Sequence, residues 1–392
     1  MTLTSFQTVA LAALVVYFGR LLKRRIGLIE KYNLPAPVIG GFIVAIILST
    51  LKSYDLFTLH FNKEFEVTLM IIFFASVGYS ASMRLLKAGG RAVIGFLLLT
   101  IGGLLIQIFA GVGLSKIMGL HPLMGVMAGP VALTGGPGTA LAFGPLFEQA
   151  GVHGASIIGL TTAMGGIVLG GLIGTPLATY LINKKNLIEA PKAAEELDEA
   201  HWLKALINRD LLLHVLAICL ILGFGTTLST WINSLGITLP IYIGSMIVAA
   251  IVRNIEDVKP IFKIEAPWIE ELGSVALTLF IAMAIMSLRL EELRHAALPI
   301  IVFLIVQAVL VAITALGPVF WLAGKDYEAS LIGAGYVGFM MGTTANAMAN
   351  MSSLSQKYGP APKAFLVVPL VGSCFIDFIN AALITLCLNV WG

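Results

Sequence analysis

Charge is scarce in this chain. Only 11% of its 392 residues are Asp, Glu, Lys or Arg, 58% are hydrophobic, and the mean hydropathy is +0.96. Soluble domains average about 25% charged and about 45–50% apolar residues, so a water-soluble enzyme or binding module is excluded. The chain reads as an integral membrane protein. Cysteine is scarcer still: Cys219, Cys374 and Cys387 stand apart in apolar runs, without the spacing of a disulfide framework or a zinc site. Deep carboxylates are reduced to Asp377 alone, which argues against an intramembrane aspartyl protease, where two must share one site. A net charge of +3 reports membrane topology and gives no basis for a nucleic-acid partner.

What is abundant is long apolar sequence. Runs able to cross a hydrocarbon core of about 30 Å, which takes about 20 helical residues, lie near 4–22, 36–51, 65–83, 92–114, 155–182, 210–230, 239–253, 270–288, 298–322 and 363–389. No Lys or Arg precedes the first run, and Arg20, Lys23, Arg24 and Arg25 follow it. That is the reverse of a secretory signal, so the run is expected to stay as a span with its N-terminus outside. All of the 24 Lys and Arg residues except Lys52, Lys63, Lys116, Arg289 and Arg294 then fall on one side of the membrane. By the positive-inside rule that side is cytoplasmic, and both termini are expected outside the cytoplasm.

Two further stretches are rich in glycine and helix breakers. One runs Ala128-Gly129-Pro130-Val131-Ala132-Leu133-Thr134-Gly135-Gly136-Pro137-Gly138-Thr139, and the other Ala334-Gly335-Tyr336-Val337-Gly338-Phe339-Met340-Met341-Gly342-Thr343-Thr344-Ala345-Asn346. Backbone that leaves helical geometry at membrane depth survives only where protein or water partners its free groups. Segments 122–148 and 328–354 are therefore expected as re-entrant hairpins, each entering and leaving on one face. They occupy matching places in two halves. Gly40, Ile43, Val44 and Ala45 recur as Gly244, Ile247, Val248 and Ala249, and Gly119 recurs as Gly324. Ala128, Gly129, Val131 and Gly136 recur as Ala334, Gly335, Val337 and Gly342. The expected fold is an all-α polytopic membrane protein, with repeats at 1–182 and 210–392 joined by a polar cytoplasmic linker at 183–209. Five spans per repeat is an odd number, so the second repeat is inverted. Paired breaks of this kind mark the binding site of a transporter.

The tips offer backbone and side-chain groups in place of charge. Gly135, Gly136, Gly138 and Gly342 let amides approach a ligand, and half-helix N-termini suit a carboxylate. Thr134, Thr139, Thr343, Thr344 and Asn346 add hydroxyl and amide groups, and together these residues are the expected substrate contacts. A hard cation takes oxygen ligands. Asp377, one turn before Asn380 on the same helix face, forms with Asn350 the expected sodium set, and its carboxylate could also face a substrate ammonium. His214 reads as a packing histidine, and Gln107 and Gln307, each midway along the fourth span of its half, as bonds between helices.

These residues resemble a known family. Gly135-Gly136-Pro137-Gly138 fits a Gly-Gly-x-Gly hairpin motif. The run 335–351, Phe365-Leu366-Val367-Val368-Pro369, the helix around 377–380 and the turn Pro35-Ala36-Pro37-Val38-Ile39-Gly40-Gly41 are similar to the bacterial sodium/glutamate symporters. The resemblance implies a homodimeric secondary transporter of the bacterial inner membrane with no organic cofactor. It would couple sodium entry to uptake of L-glutamate or a closely related acidic amino acid by alternating access. Both hairpins and 363–389 would slide as one body, elevator-fashion, against a static scaffold that includes 92–114. The tips depart from the family's usual pattern at Thr134, Pro137 and Ala140 and across 342–347. The 2-hydroxycarboxylate transporters share the short motif, so a sodium symporter of a citrate- or malate-type acid stays open, with no intramembrane arginine to favour it. A channel gives no reason for hairpins that meet from opposite faces.

Overall fold

The computed structural model describes residues 2–27, 34–54, 59–187, 211–235, 239–288 and 297–392. The expected linker at 183–209 lies almost wholly outside the described residues. In chain order the helices are α1 (Ser5–Arg25), α2 (Ala36–Ser53), α3 (Glu64–Ser80), α4 (Met83–Ala88), α5 (Gly90–Ile117), α6 (Pro122–Val131), α7 (Gly136–Gln149) and α8 (Ala155–Lys185). They continue with α9 (Leu211–Ser234), α10 (Ile241–Val258), α11 (Ala266–Met286), α12 (Ala297–Ala323), α13 (Tyr327–Met340), α14 (Thr344–Tyr358), α15 (Pro362–Val371) and α16 (Asp377–Trp391). Among the described residues, seven stretches are long and apolar enough to cross a membrane: α1, α3 with α4, α5, α8, α9, α11 and α12. The protein is an all-α integral membrane protein.

Local chemistry sets the helix ends. Gln7 N–H donates to Thr4 Oγ1 at 3.4 Å and Thr4 N–H to Gln7 Oε1 at 3.0 Å, a reciprocal cap that starts α1. Lys23, Arg24 and Arg25 close its last turn, where cations meet the negative end of the helix. Gly119 and Gly324, a pair matched between the halves, follow α5 and α12 with φ of +68° and +130°, which a side chain would resist.

The helices pack as two bodies. Helices α1, α2, α3, α9, α10 and α11 form a frame, and α5–α8 with α12–α16 gather around the two glycine-rich breaks. In the frame, a Cβ at Gly40 would collide with the Val15 carbonyl of α1, and one at Gly244 with the Gly225 carbonyl of α9. The first two helices of each half therefore cross at backbone contact. Between the bodies runs an apolar seam. Phe74 of α3 stacks on Tyr242 of α10 at 4.3 Å, and Phe143 of α7 meets Tyr242 edge-on at 5.4 Å. Ala381, Ile384 and Leu388 of α16 join the same buried cluster. Helix α4 carries the chain from frame to second body. The frame holds its start: Met83 N–H donates to Asn254 Oδ1 at 2.9 Å, and the Ser82 hydroxyl donates to Asp257, which pairs with Arg253 at 3.3 Å.

Two expectations are modified. The apolar run 363–389 is helical throughout, but after Pro369, which lacks a backbone donor, α15 passes into α16 through a wide π-type turn at Gly372–Ile376. The run 92–114, expected in the static scaffold, lies in α5, which packs on α6, α12 and α15 and so belongs to the second body.

Candidate functional site

The first break opens at Gly129, whose φ of −110° and ψ of −114° leave helical geometry, beside Pro130 with no N–H to donate. The chain turns through 132–135, and α7 starts at Gly136 with φ +69°. No side chain caps α7, so its first-turn N–H groups, apart from Pro137 which has none, are left uncapped. In the second break α13 ends at Met340, and Thr343 caps α14 by accepting from Asn346 N–H at 3.4 Å.

The two tips touch. A Cβ on Gly136 would lie 3.4 Å from Gly342 O and 3.7 Å from Thr343 Cγ2. A buried amide network joins them: Thr134 Oγ1 donates to Gln107 Oε1 at 2.8 Å, Gln107 Nε2 to Met340 O at 2.9 Å, and Gln307 Nε2 to Gln107 O at 3.0 Å. Gln107 and Gln307 do bond between helices. What the sequence did not disclose is that Gln107 fastens both tips and Gln307 holds the Gln107 backbone behind them, although their matching place in the fourth spans was the available signal.

The last helical stretch, with its π-type turn, attends the same junction. Asn380 Nδ2 donates to Pro130 O at 2.9 Å, and a Cβ on Gly372 would lie 3.2 Å from Thr344 Oγ1. Asn380 Oδ1 is buried and accepts no hydrogen bond from a described residue. Asp377, one turn earlier, is half-buried and makes no ion pair or hydrogen bond with any described residue. Thr134, Thr139 and Asn346 are buried, Thr343 and Thr344 are half-buried, and Ala345 is exposed, so the junction opens at 343–345.

Other expected residues make contacts within the protein. Gly138 faces the frame, where a Cβ would lie 2.7 Å from Leu277 Cδ1, and Gly135 lies beneath the Thr139 side chain. Asn346 Nδ2 donates to Ile167 O at 2.7 Å. Asn350 Nδ2 donates to Gly170 O at 3.1 Å and Ala334 O at 3.3 Å, and its Oδ1 accepts from Thr175 Oγ1 at 3.3 Å. Both amides stitch α14 to α8. His214 is buried against Trp268 and accepts from Glu265 N–H at 3.1 Å, in keeping with a packing role. A separate opening of about 320 Å³ lies in the seam at the far end of α7, lined by Lys63, Glu66, Glu148, Ser156 and Ser287.

Broken helix pairs that meet inside a bundle of apolar spans, with buried amides and hydroxyls at their junction, define a class: a membrane-embedded solute carrier. Residues 1–360 match the sodium/glutamate symporter family model, and the chain belongs to that family. It is 38% identical to a sodium/glutamate symporter of Haemophilus influenzae, over 98% of this chain and 96% of that one. It is 36% identical to a sodium/glutamate symporter of Escherichia coli, over 98% of this chain and 97% of the relative.

Proposed function

We propose that this protein imports L-glutamate or a closely related acidic amino acid with sodium across the bacterial inner membrane, by alternating access of two inverted repeats. The observation that carries the reading is the contact between Gly136 and Gly342–Thr343, with the uncapped start of α7 on one side and the start of α14 on the other. Helix N-termini suit a carboxylate without a charged side chain. Gly136, Gly342, Thr343 and Thr344 line the substrate position, and Thr134 and Asn346 hold the tips around it.

Asp377 and the Asn380 oxygen are the proposed sodium ligands. An unpaired charge at a helix centre costs about 2.5–3.5 kcal/mol, and a bound cation offsets that cost. Asn350 contributes indirectly, by fixing α14. The names of the relatives support both sodium and glutamate. The body α5–α8 with α12–α16 moves past the frame along the apolar seam, where no described hydrogen-bond register has to break at Phe74, Tyr242 and Phe143. The opening lined by Lys63 and Glu148 is its access path on one face, and the frame carries the homodimer contact.

Purified protein should be stabilised against heat by L-glutamate in sodium but not in potassium, with citrate and malate giving no shift, since stabilisation follows mass action. Equal stabilisation by glutamate in both salts, or a response to citrate alone, contradicts the proposal.

A further inference from the structure

The frame carries a charged groove unrelated to the tips. It lies between α1 and α11, measures about 320 Å³, and is lined by Tyr17, Arg20, Glu271, Ser274, Val275 and Thr278 among others. Arg20 sits near the end of α1 and Glu271 near the start of α11, both inside helices long and apolar enough to span. Both are exposed, and neither pairs with a described residue. The Thr278 hydroxyl donates back to Ser274 O at 2.8 Å and satisfies neither charge. Tyr17 is 63% exposed and Val275 51%, so the groove opens onto the apolar outer face of the frame.

Two opposite charges lining one groove, neither in an ion pair with a described residue, complement a zwitterion. Ionisable groups within spans are retained where they find a partner, and here the surrounding solvent is lipid. We propose that the groove binds one zwitterionic phospholipid of the ethanolamine type, with its phosphate on Arg20, its ammonium on Glu271 and its chains along Tyr17 and Val275. Guanidinium matches phosphate oxygens in a fork. A primary ammonium carries three N–H donors for the carboxylate, whereas a choline headgroup carries none and a glycerol headgroup lacks the positive charge. A second copy of the chain fits less well. A twofold contact places the same patch on both subunits, which here brings the basic last turn of α1, Lys23, Arg24 and Arg25, against its own copy.

The test is native mass spectrometry of the purified full chain, supplied with phosphatidylethanolamine, phosphatidylcholine or phosphatidylglycerol of identical acyl chains. The wild type should retain one phosphatidylethanolamine with at least tenfold preference over the other two. Glu271→Gln should abolish the preference over phosphatidylcholine, Arg20→Gln should weaken retention of both zwitterionic lipids, and Val275→Trp should fill the groove and lose the lipid with both charges intact. Equal retention of the three lipids, a preference that survives Glu271→Gln, or lipid kept by Val275→Trp overturns the proposal. A dimer broken by Glu271→Arg and restored by adding Arg20→Glu also overturns it, and assigns the groove to a second copy.

Discussion

Asp377→Asn keeps the shape of the side chain and removes the charge that would offset a cation in a low-dielectric site, where charge pairs are worth far more than in water. Sodium-dependent substrate binding to the purified variant should weaken at least tenfold, about 1.4 kcal/mol, with folded protein retained because a neutral amide costs less to bury. Unchanged sodium dependence removes Asp377 from the ion site. Asn350→Ala should behave differently. It removes the buried hydrogen bonds of Asn350 to Gly170 O, Ala334 O and Thr175 Oγ1, costing about 1–3 kcal/mol of stability, while the surviving protein keeps the sodium dependence of the wild type. A selective loss of sodium affinity in that variant would return Asn350 to the ligand set. Asp377 was legible because a lone carboxylate in an apolar run needs a reason. The use of Asn346 and Asn350 as stitches was not, because the carbonyls they satisfy lie on α8, more than 170 residues away in the chain.

Breaks in helices were legible and continuity was not. Gly129-Pro130 and Gly342-Thr343 announced the two interruptions, because a missing donor and a missing side chain act locally. The π-type turn within 363–389 escaped notice, since Pro369 and Gly372 are spread through an otherwise apolar run. The contact between tips sharpens the prediction for the glycines. Valine at Gly136 meets a backbone at φ +69°, and valine at Gly342 meets Asn346 Nδ2, 2.7 Å from the new Cβ. Either variant should lose uptake in proteoliposomes while inserting as a folded protein. Near-normal uptake by both would reassign these glycines to helix packing.

Across the whole molecule, the sequence conveyed the membrane class and the pairing of breaks, while the division into frame and second body needed the packing. Apolar composition marks a span but says nothing of the neighbour it faces, which is why α5 reads as scaffold in sequence and packs with the broken helices in space. If the second body moves, partners across the seam must change. Cysteines replacing Phe143 and Tyr242, whose ring centroids are 5.4 Å apart, in a background freed of Cys219, Cys374 and Cys387, should crosslink to an extent that depends on sodium and substrate. The same yield in every ligand state would count against motion at this seam. The central claim is coupling to sodium, where each net charge carried inward gains about 2.3 kcal/mol per 100 mV. The most direct measurement is L-glutamate uptake into proteoliposomes holding only the purified protein, with external sodium replaced by choline at fixed pH and voltage. The account predicts saturable uptake in sodium that collapses in choline, and uptake unchanged by the replacement would contradict it.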